Sequence, residues 1–211
     1  MLNRRRRRRR TKTIDFRGVN KEAMTQEQMK KEIISWVVEI ILVIFLAYLV
    51  TSYGVEKTTV VGTSMENTLA NGDKLIINKM VYRFTSPKRF DIIVFKNNGK
   101  EHNYYTIRRV IGLPGETVQI MDGKVYIDGN ELSEEILVNK MASGGLAKEP
   151  ITLEENEYFV LGDNRNGSED SRFGNVGNIT KDSIVGKAWL RLNPFNFVHM
   201  LNKTTTEAKA E

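Results

Sequence analysis

The pattern of apolar and polar positions changes once along the chain, near Gly54. From Ile33 to Tyr53 the sequence IISWVVEIILVIFLAYLVTSY is apolar over roughly 20 residues, the length that a helix needs to cross about 30 Å of hydrocarbon. This pattern predicts a transmembrane helix over residues 33–53. Two alternatives are a buried core helix, which the carboxylate of Glu39 favours, and a cleaved signal peptide, whose apolar region is usually about 7 to 15 residues long.

After Gly54 the helical pattern gives way to short β-prone runs. Turn signals such as ANGD, LPGE, MDGK and IDGN separate them, and no long helical segments alternate with them. This favours an antiparallel sheet over a parallel α/β sheet, so we predict a mainly β domain over residues 54–200. The runs are TTVVG, KLIINKMVY, DIIVFK, YYTIRRVIG, TVQIMDGKVYIDG, EYFVLGDN and SIVGKAWLRL.

Three further segments of this region carry local predictions. VQIMDGKVYI predicts a β-hairpin with a two-residue Asp-Gly turn between Ile120 and Val125. The stretch from Leu132 to Gly145, which contains SGG, predicts an inserted loop. Residues 201–211 are polar enough to predict a disordered tail.

The positive charge is concentrated at one end of the chain. The net charge is +6, of which residues 1–32 carry roughly +8, Glu39 carries −1 and the chain after Gly54 carries roughly −1. A nearly neutral domain argues against nucleic acid as its partner. Basic residues before the apolar segment predict a cytoplasmic tail over 1–32 and an extracytoplasmic domain anchored in the cell membrane. The run RRRRRRR alone is equally typical of a nucleic-acid or nuclear-targeting patch.

The chain contains no cysteine. This excludes disulfides, thiolate catalysis and cysteine-ligated metals. No cluster of His, Asp or Glu in the sequence has the spacing of metal ligands, so we expect neither a metal nor a cofactor.

Two short stretches hold residues that suggest chemistry. In VGTSMENTL, Ser64 is predicted to lie in a turn, where Gly62 would let another backbone approach closely; a lone serine in a turn is usually structural. In YTIRRVIGLPGE, the adjacent Arg108 and Arg109 stand in an apolar run that is typical of a buried strand. Burying a guanidinium is costly unless it is paired or functional.

The stretch GDNRNGSEDSRFGNVG is dense in polar residues. It is compatible with a flexible polar loop, with a calcium loop, or with a rigid loop in which Asp163 and Asp170 pair with Arg165, Arg172 or Arg109. The calcium pattern fails because Arg165 stands where an oxygen ligand is needed. Pairing would satisfy the buried arginines.

Taken together and in order, these stretches resemble the bacterial type I signal peptidases of peptidase family S26. SMENTL resembles the nucleophile motif, GDKLIINKMVY the strand that follows it, YTIRRVIGLPGE the motif of the general base, and GDNRNGSEDSRFG the loop that braces that base. The resemblance covers the apolar segment and nearly all of Gly54 to Leu192. A single N-terminal anchor is similar to the Gram-positive branch.

The resemblance implies a membrane-anchored serine endopeptidase with a serine–lysine dyad. Such enzymes remove signal peptides from exported preproteins after small residues in Ala-X-Ala type sites, so the implied partners are signal peptides and the lipid bilayer. Ser64 matches the nucleophile, its N–H matches part of the oxyanion hole, and Ser168 matches the hydroxyl that orients the base. The structural ionic framework around the site is matched by Arg109, Asp163, Arg165, Asp170 and Arg172.

The sequence departs from the family at the general base. Arg108 occupies the lysine position, and a guanidinium with a pKa above about 12 cannot accept the serine proton. Asn67 stands where the family usually has a proline, which should loosen the position of Ser64. His102 lies six residues before Arg108, roughly 20 Å along a strand, and His199 lies outside every motif, so neither is favoured as a substitute base.

Three hypotheses follow for the function. The chain is a signal peptidase I with lost or reduced activity, or with an unrecognised base. Alternatively, it is a catalytically silent member that binds extended peptides by strand addition as an export or surface-assembly factor, or Arg108 is an engineered inactivating substitution.

The family also places an apolar face of the ectodomain on the membrane, for which Met65, Tyr82 and Phe84 are the candidates. The alternative for Tyr82 and Phe84 is an ordinary place in the core.

Overall fold

The structure, a computed structural model, describes residues 25–96, 105–134 and 139–198. Most of the basic segment over residues 1–32 lies outside the described residues, and so do His102, His199 and the tail over 201–211. What the sequence predicts for those parts of the chain therefore stays a prediction.

The first described element is a long helix, α1 (Gln26–Leu49). It begins before the predicted span because its polar first turns, QEQMKKE, are rich in good helix formers. Thr25 and Gln28 form a reciprocal cap, since the Thr25 N–H donates to Gln28 Oε1 at 3.0 Å and the Gln28 N–H donates to Thr25 Oγ1 at 3.4 Å. A five-residue π-type turn, Val50–Gly54, follows the helix.

Helix α1 is apolar and has no buried residue. Its most apolar 18-residue window has a mean hydropathy of 2.7, and among the described residues it is the one helix long and apolar enough to cross a membrane. At about 1.5 Å per residue, its 24 residues extend over roughly 36 Å. The chain divides into two compact units between Leu46 and Ala47, within this helix.

The second unit is built from β-strands, and every strand pair in it is antiparallel. The predicted mainly β, antiparallel fold class is confirmed. The strands are β1 (Val55–Thr59), β2 (Lys74–Asn78), β3 (Ile92–Phe95), β4 (Thr106–Gly112), β5 (Thr117–Met121), β6 (Lys124–Ile127), β7 (Asn130–Glu131), β8 (Ile151–Thr152), β9 (Glu157–Leu161), β10 (Ile179–Thr180), β11 (Ile184–Leu192) and β12 (Phe195–Phe197).

The strands form two sheets. The larger sheet has the order β1-β2-β11-β3-β4-β9-β10, with β12 paired to β11, and the smaller one has the order β7-β6-β5-β8. In the larger sheet β4 lies between β3 and β9, and four of the seven β4 residues are buried in succession from Arg109 to Gly112. A central strand therefore carries the two arginines of YTIRRVIGLPGE.

The predicted strand KLIINKMVY is shorter than expected. The side chain of Asn78 ends β2, because its Oδ1 accepts the backbone N–H groups of Met80 at 3.0 Å and Val81 at 3.1 Å. This competition with the sheet ladder starts a short helix, α2 (Val81–Phe84), where a strand was predicted. Similarly, the run TTVVG is paired only as far as Thr59.

The Asp-Gly hairpin is confirmed. Ile120 pairs with Val125 and Met121 pairs with Lys124, which leaves Asp122 and Gly123 as the two turn residues. Their φ angles of 50° and 75° have the positive sign that a two-residue type I′ turn needs.

The predicted membrane face needs correction at one of its three residues. Met65 is only 2% exposed and packs in a core cluster with Leu69 and Leu75, so it cannot contact a membrane. Tyr82 is partly buried and donates its hydroxyl to Asp91 Oδ2 at 2.9 Å. Phe84, by contrast, is 80% exposed.

Candidate active site

Ser64 lies in a turn between β1 and β2, as the sequence predicts. The base of the segment is closed where the Val60 N–H donates to the Asp73 carbonyl at 2.8 Å. Within the turn, the Leu69 N–H donates to the Met65 carbonyl at 2.8 Å, and both of these side chains are buried in the core. The residue after Ser64 therefore anchors the turn.

The close backbone approach predicted at Gly62 occurs instead at Gly162. A Cβ at Gly62 would meet nothing within 4 Å, and that glycine is needed for its φ of +88°. At Gly162, a Cβ would lie 2.2 Å from Ser168 Oγ and 2.5 Å from the Ser64 carbonyl oxygen. Only a glycine lets these two serines pack on the same backbone position.

The loop after β9 also holds the Ser64 turn by hydrogen bonds. The Asn164 N–H donates to the Ser64 carbonyl at 3.0 Å, and Asn164 Nδ2 donates to the Thr63 carbonyl at 3.2 Å. The predicted nucleophile is therefore tied through its own carbonyl to the loop that carries Ser168. Neither Asn164 nor Gly162 was predicted to contribute to the site, although both lie in the stretch GDNRNGSEDSRFGNVG.

Arg108 extends from β4 into the same cavity that Ser64 lines, which has a volume of about 70 Å³. Its Nε and Nη2 both donate to the Glu169 carbonyl, at 2.8 and 2.6 Å, and its Nη1 donates to the Ile107 carbonyl at 2.6 Å. Within the described ranges Arg108 forms no ion pair with a carboxylate. The guanidinium is thus held by backbone oxygens.

Burial lowers the pKa of Arg108, because loss of hydration outweighs the nearby negative charges of Asp170 and Glu169. A guanidinium remains protonated even so, since its ordinary pKa lies above about 12. The cavity therefore contains a permanent cation beside Ser64.

Ser168 is buried, and its Oγ has no hydrogen-bond partner in the described parts of the chain. This is the hydroxyl that the family resemblance assigns to orienting the base. The Arg108 guanidinium instead bonds the carbonyl of the next residue, Glu169. No hydrogen bond joins Arg108 to the hydroxyl that the resemblance assigns to orienting the base.

Arg109 points to the other side of β4 and is fully buried. Its Nε and Nη2 donate to the two oxygens of Asp163 at 2.7 and 2.6 Å, and Thr68 donates to Asp163 Oδ2 at 2.5 Å. Since Thr68 belongs to the Ser64 turn, this pair joins β4, the turn and the loop after β9. The pairing predicted for Arg109 and Asp163 is confirmed.

The remaining arginines of the loop are also paired. Arg172 binds Asp170 through Nε and Nη2, each at 2.8 Å. Arg165 was one of three alternative partners predicted for Asp163 and Asp170, but its carboxylate partner is Glu134, whose Oε2 accepts Nη1 at 2.7 Å. Glu134 comes from the predicted inserted loop, and nothing in its sequence spacing indicated this role.

Asn67 has a φ of +89°. Proline is fixed near −65°, so the residue that the family usually has here could not adopt this conformation. Asparagine is one of the few residues other than glycine that tolerate it.

The cavity is lined by Ser64, the predicted nucleophile, and by the cationic side chain of Arg108. Among the described residues no group of three or more His, Asp or Glu side chains could hold a metal ion. Asp163 and Asp170 are both paired with arginines.

The chain is similar to known proteins over most of its length. Residues 33–193 match the family model described as signal peptidase, peptidase S26. A signal peptidase I from Bacillus licheniformis is 37% identical over 185 residues, covering 82% of this chain and 97% of the relative. Signal peptidase I T from Bacillus subtilis (strain 168) is 36% identical over 186 residues, covering 83% and 95%.

A solved structure is similar as well. The crystal structure of a signal peptidase I from Enterococcus faecalis V583 is 36% identical in sequence, covers 49% of this chain and 97% of its own, and superposes with a TM-score of 0.40. The family model spans well over half of the chain, and the two Bacillus relatives exceed 30% identity over more than two thirds of it. The chain therefore belongs to the signal peptidase I family, peptidase family S26.

Proposed function

We propose that this protein binds the cleavage region of signal peptides on exported preproteins, with Ser64 as the nucleophile, and that Arg108 makes its hydrolysis slow or absent. The scissile site would follow a small residue, as in an Ala-X-Ala segment. The protein would act from the extracytoplasmic face of the cell membrane, anchored by α1 with its N-terminus in the cytoplasm.

The proposed reaction needs a base for the Ser64 proton. In acyl transfer the hydroxyl loses its proton as it attacks the peptide carbonyl, and a base at the right position contributes about 10²- to 10⁴-fold. Arg108 cannot supply this step because it is already protonated. The Ser64 N–H would still donate to the oxygen of the scissile carbonyl. The substrate would therefore still bind, and its carbonyl would still be partly polarised.

The observation that carries this proposal is the geometry of Arg108. Its guanidinium lines the cavity with Ser64 and is bound to the carbonyls of Glu169 and Ile107, while Ser168 Oγ has no partner among the described residues. A lysine at position 108 is shorter and would end closer to β4. We infer that the amine of such a lysine would form a hydrogen bond with the Ser168 hydroxyl.

The test is cleavage of a preprotein, or of a lipid-tailed Ala-X-Ala peptide, by the full chain in detergent between pH 6 and 10. We expect Arg108→Lys to cut about 10²- to 10⁴-fold faster than the native chain. Adding Ser64→Ala to Arg108→Lys should remove this gain, which controls for a contaminating protease.

Two outcomes would contradict the proposal. If the native chain cuts as fast as Arg108→Lys, a base other than residue 108 serves Ser64, and His102 is the next residue to replace. If Ser64→Ala cuts like its parent, Ser64 is not the nucleophile. Should the native chain bind the peptide without cutting it at all, it acts as an export or surface-assembly factor that holds extended peptides.

A further inference from the structure

The cavity between the Ser64 turn and β4 is lined by hydrogen-bond donors and apolar groups. It has a volume of about 70 Å³, whereas one water needs only about 10 to 15 Å³, so a small polar group of a ligand fits inside. None of the described lining residues is an Asp or a Glu. The cavity is therefore positive, through Arg108.

Arg108 keeps donors for a ligand. A guanidinium carries five N–H groups. In the structure Nε, Nη1 and Nη2 each use a hydrogen on a backbone carbonyl, and Nη1 and Nη2 each carry a second one. Two N–H groups therefore remain, and no carboxylate from the described residues is bonded to them.

Ser64 adds two more donors at the same place. Its carbonyl is bound by the Asn164 N–H, but its own N–H and hydroxyl have no acceptor among the described residues. The unused donors of Ser64 and Arg108 thus belong to the two polar walls of one cavity.

The chemistry of this donor set favours an anion over a neutral carbonyl. Burial lowers the pKa of Arg108, so its charge is poorly compensated where it stands. An arginine and a carboxylate form short, charge-assisted and often bidentate hydrogen bonds, which are roughly twice as strong as neutral ones. An internal peptide bond offers no charge, whereas the end of a peptide chain does.

We propose that this cavity binds the free α-carboxylate of a peptide that ends in a small residue, in preference to the same residues inside a longer chain. The proposal rests on the proposed function, because the peptide would lie in the same cleft. It identifies the preferred ligand as a product of signal-peptide cleavage rather than as an intact preprotein. Binding makes and breaks no covalent bond.

The experiment compares two fluorescent peptides that both end in Ala-Gln-Ala, one with a free C-terminal acid and one with a C-terminal amide. Their affinities for the full native chain in detergent are measured by fluorescence anisotropy. We expect the acid to bind at least about tenfold more tightly than the amide, since hydrogen bonds to charged groups are the stronger class. This comparison needs no variant, so it does not depend on whether a substituted chain folds.

Arg108→Gln is the matched variant, because glutamine keeps hydrogen-bond donors but has no charge. It should bring the acid-to-amide affinity ratio to about one. A third peptide, a free acid ending in Trp-Gln-Trp, should bind weakly, and equal binding would contradict the small-residue requirement.

The results separate this inference from the proposed function. If the acid and the amide bind equally well to the native chain, the carboxylate site is wrong and the peptide cleft stands. If neither peptide binds, the proposed function is contradicted, and the proposal of a carboxylate site is contradicted as well. An unchanged acid preference in Arg108→Gln would also overturn the assignment to Arg108.

Discussion

Ser168 and Arg108 stand at the two positions that the family resemblance assigns to the orienting hydroxyl and to the general base. The buried hydroxyl of Ser168 has lost hydration without gaining a partner in the described residues, which costs about 1 to 3 kcal/mol. Arg108 is hydrogen-bonded to the Glu169 carbonyl and not to Ser168, so it does not offset that cost. Under the proposed function, this hydroxyl would orient a base only if residue 108 were a lysine.

We therefore expect Ser168→Ala to be harmless to stability in the native chain and harmful to cleavage in the Arg108→Lys background. In the native chain, Ser168→Ala should leave the free energy of unfolding unchanged or raise it by up to about 3 kcal/mol, because an unsatisfied polar atom is removed. In the Arg108→Lys background, the same change should lower the cleavage rate, because the hydroxyl would then orient the base. Chemical unfolding and peptide cleavage, both in detergent, measure the two effects. Destabilisation of the native chain would show that the hydroxyl already has a partner.

At the level of elements, the loop after β9 is the part that fixes the candidate site. Asp163 of this loop pairs with Arg109 of β4 and accepts a hydrogen bond from Thr68 of the Ser64 turn. Gly162 of the same loop packs against the Ser64 carbonyl. Removing one partner of a buried ion pair costs about 3 to 5 kcal/mol, so these contacts hold the elements in one arrangement.

Gly162→Ala should therefore disturb two serines at once. The added Cβ would come within 2.5 Å of the Ser64 carbonyl and 2.2 Å of Ser168 Oγ, an overpacking that typically costs about 1 to 3 kcal/mol. In the Arg108→Lys background we also expect a loss of cleavage of about 10²-fold, since small displacements of a nucleophile are expensive. Unfolding and cleavage are measured on the same preparations.

Gly174→Ala is the matched control for that change. Gly174 belongs to the same loop, and a Cβ there would meet nothing within 4 Å. Its effect on the free energy of unfolding should stay within about 0.5 kcal/mol. If Gly162→Ala changes the free energy of unfolding and the cleavage rate as little as Gly174→Ala does, the loop tolerates a methyl group at Gly162. The close approach would then not position Ser64.

The elements were predictable from the sequence where one local rule decides the outcome. The Asp122-Gly123 turn followed from the sign of φ that a hairpin needs, and the pairing of Arg109 followed from the cost of burying a guanidinium. The partner of Arg165 was not predictable, because Glu134 lies in a loop 31 residues away with no pattern of its own. Asn78 likewise ended its strand through a side-chain bond that propensity does not report.

At the scale of the whole molecule, the chain combines an apolar helix without buried residues and a β unit whose described residues form three buried core clusters. In water, α1 would leave large side chains such as Trp36, Ile40 and Phe45 more than half exposed. This exposed apolar surface and the length of α1 fit a single-pass membrane anchor. Helix α1 therefore depends on a long apolar segment, whereas the candidate site depends on particular polar residues of the β unit.

The orientation of the anchor gives a prediction that uses the absence of cysteine from the chain. Basic residues are retained on the cytoplasmic side of a membrane helix, and the run Arg4–Arg10 lies before α1. Single cysteines can therefore be placed at Thr11, in the basic segment, and at Glu155, an exposed residue of the β unit. In intact cells a membrane-impermeant maleimide should label Glu155→Cys, and it should label Thr11→Cys only after the membrane is permeabilised. Labelling of Thr11→Cys in intact cells would put the basic segment outside, and Ser64 would then lie on the side of the membrane where exported preproteins have not yet crossed.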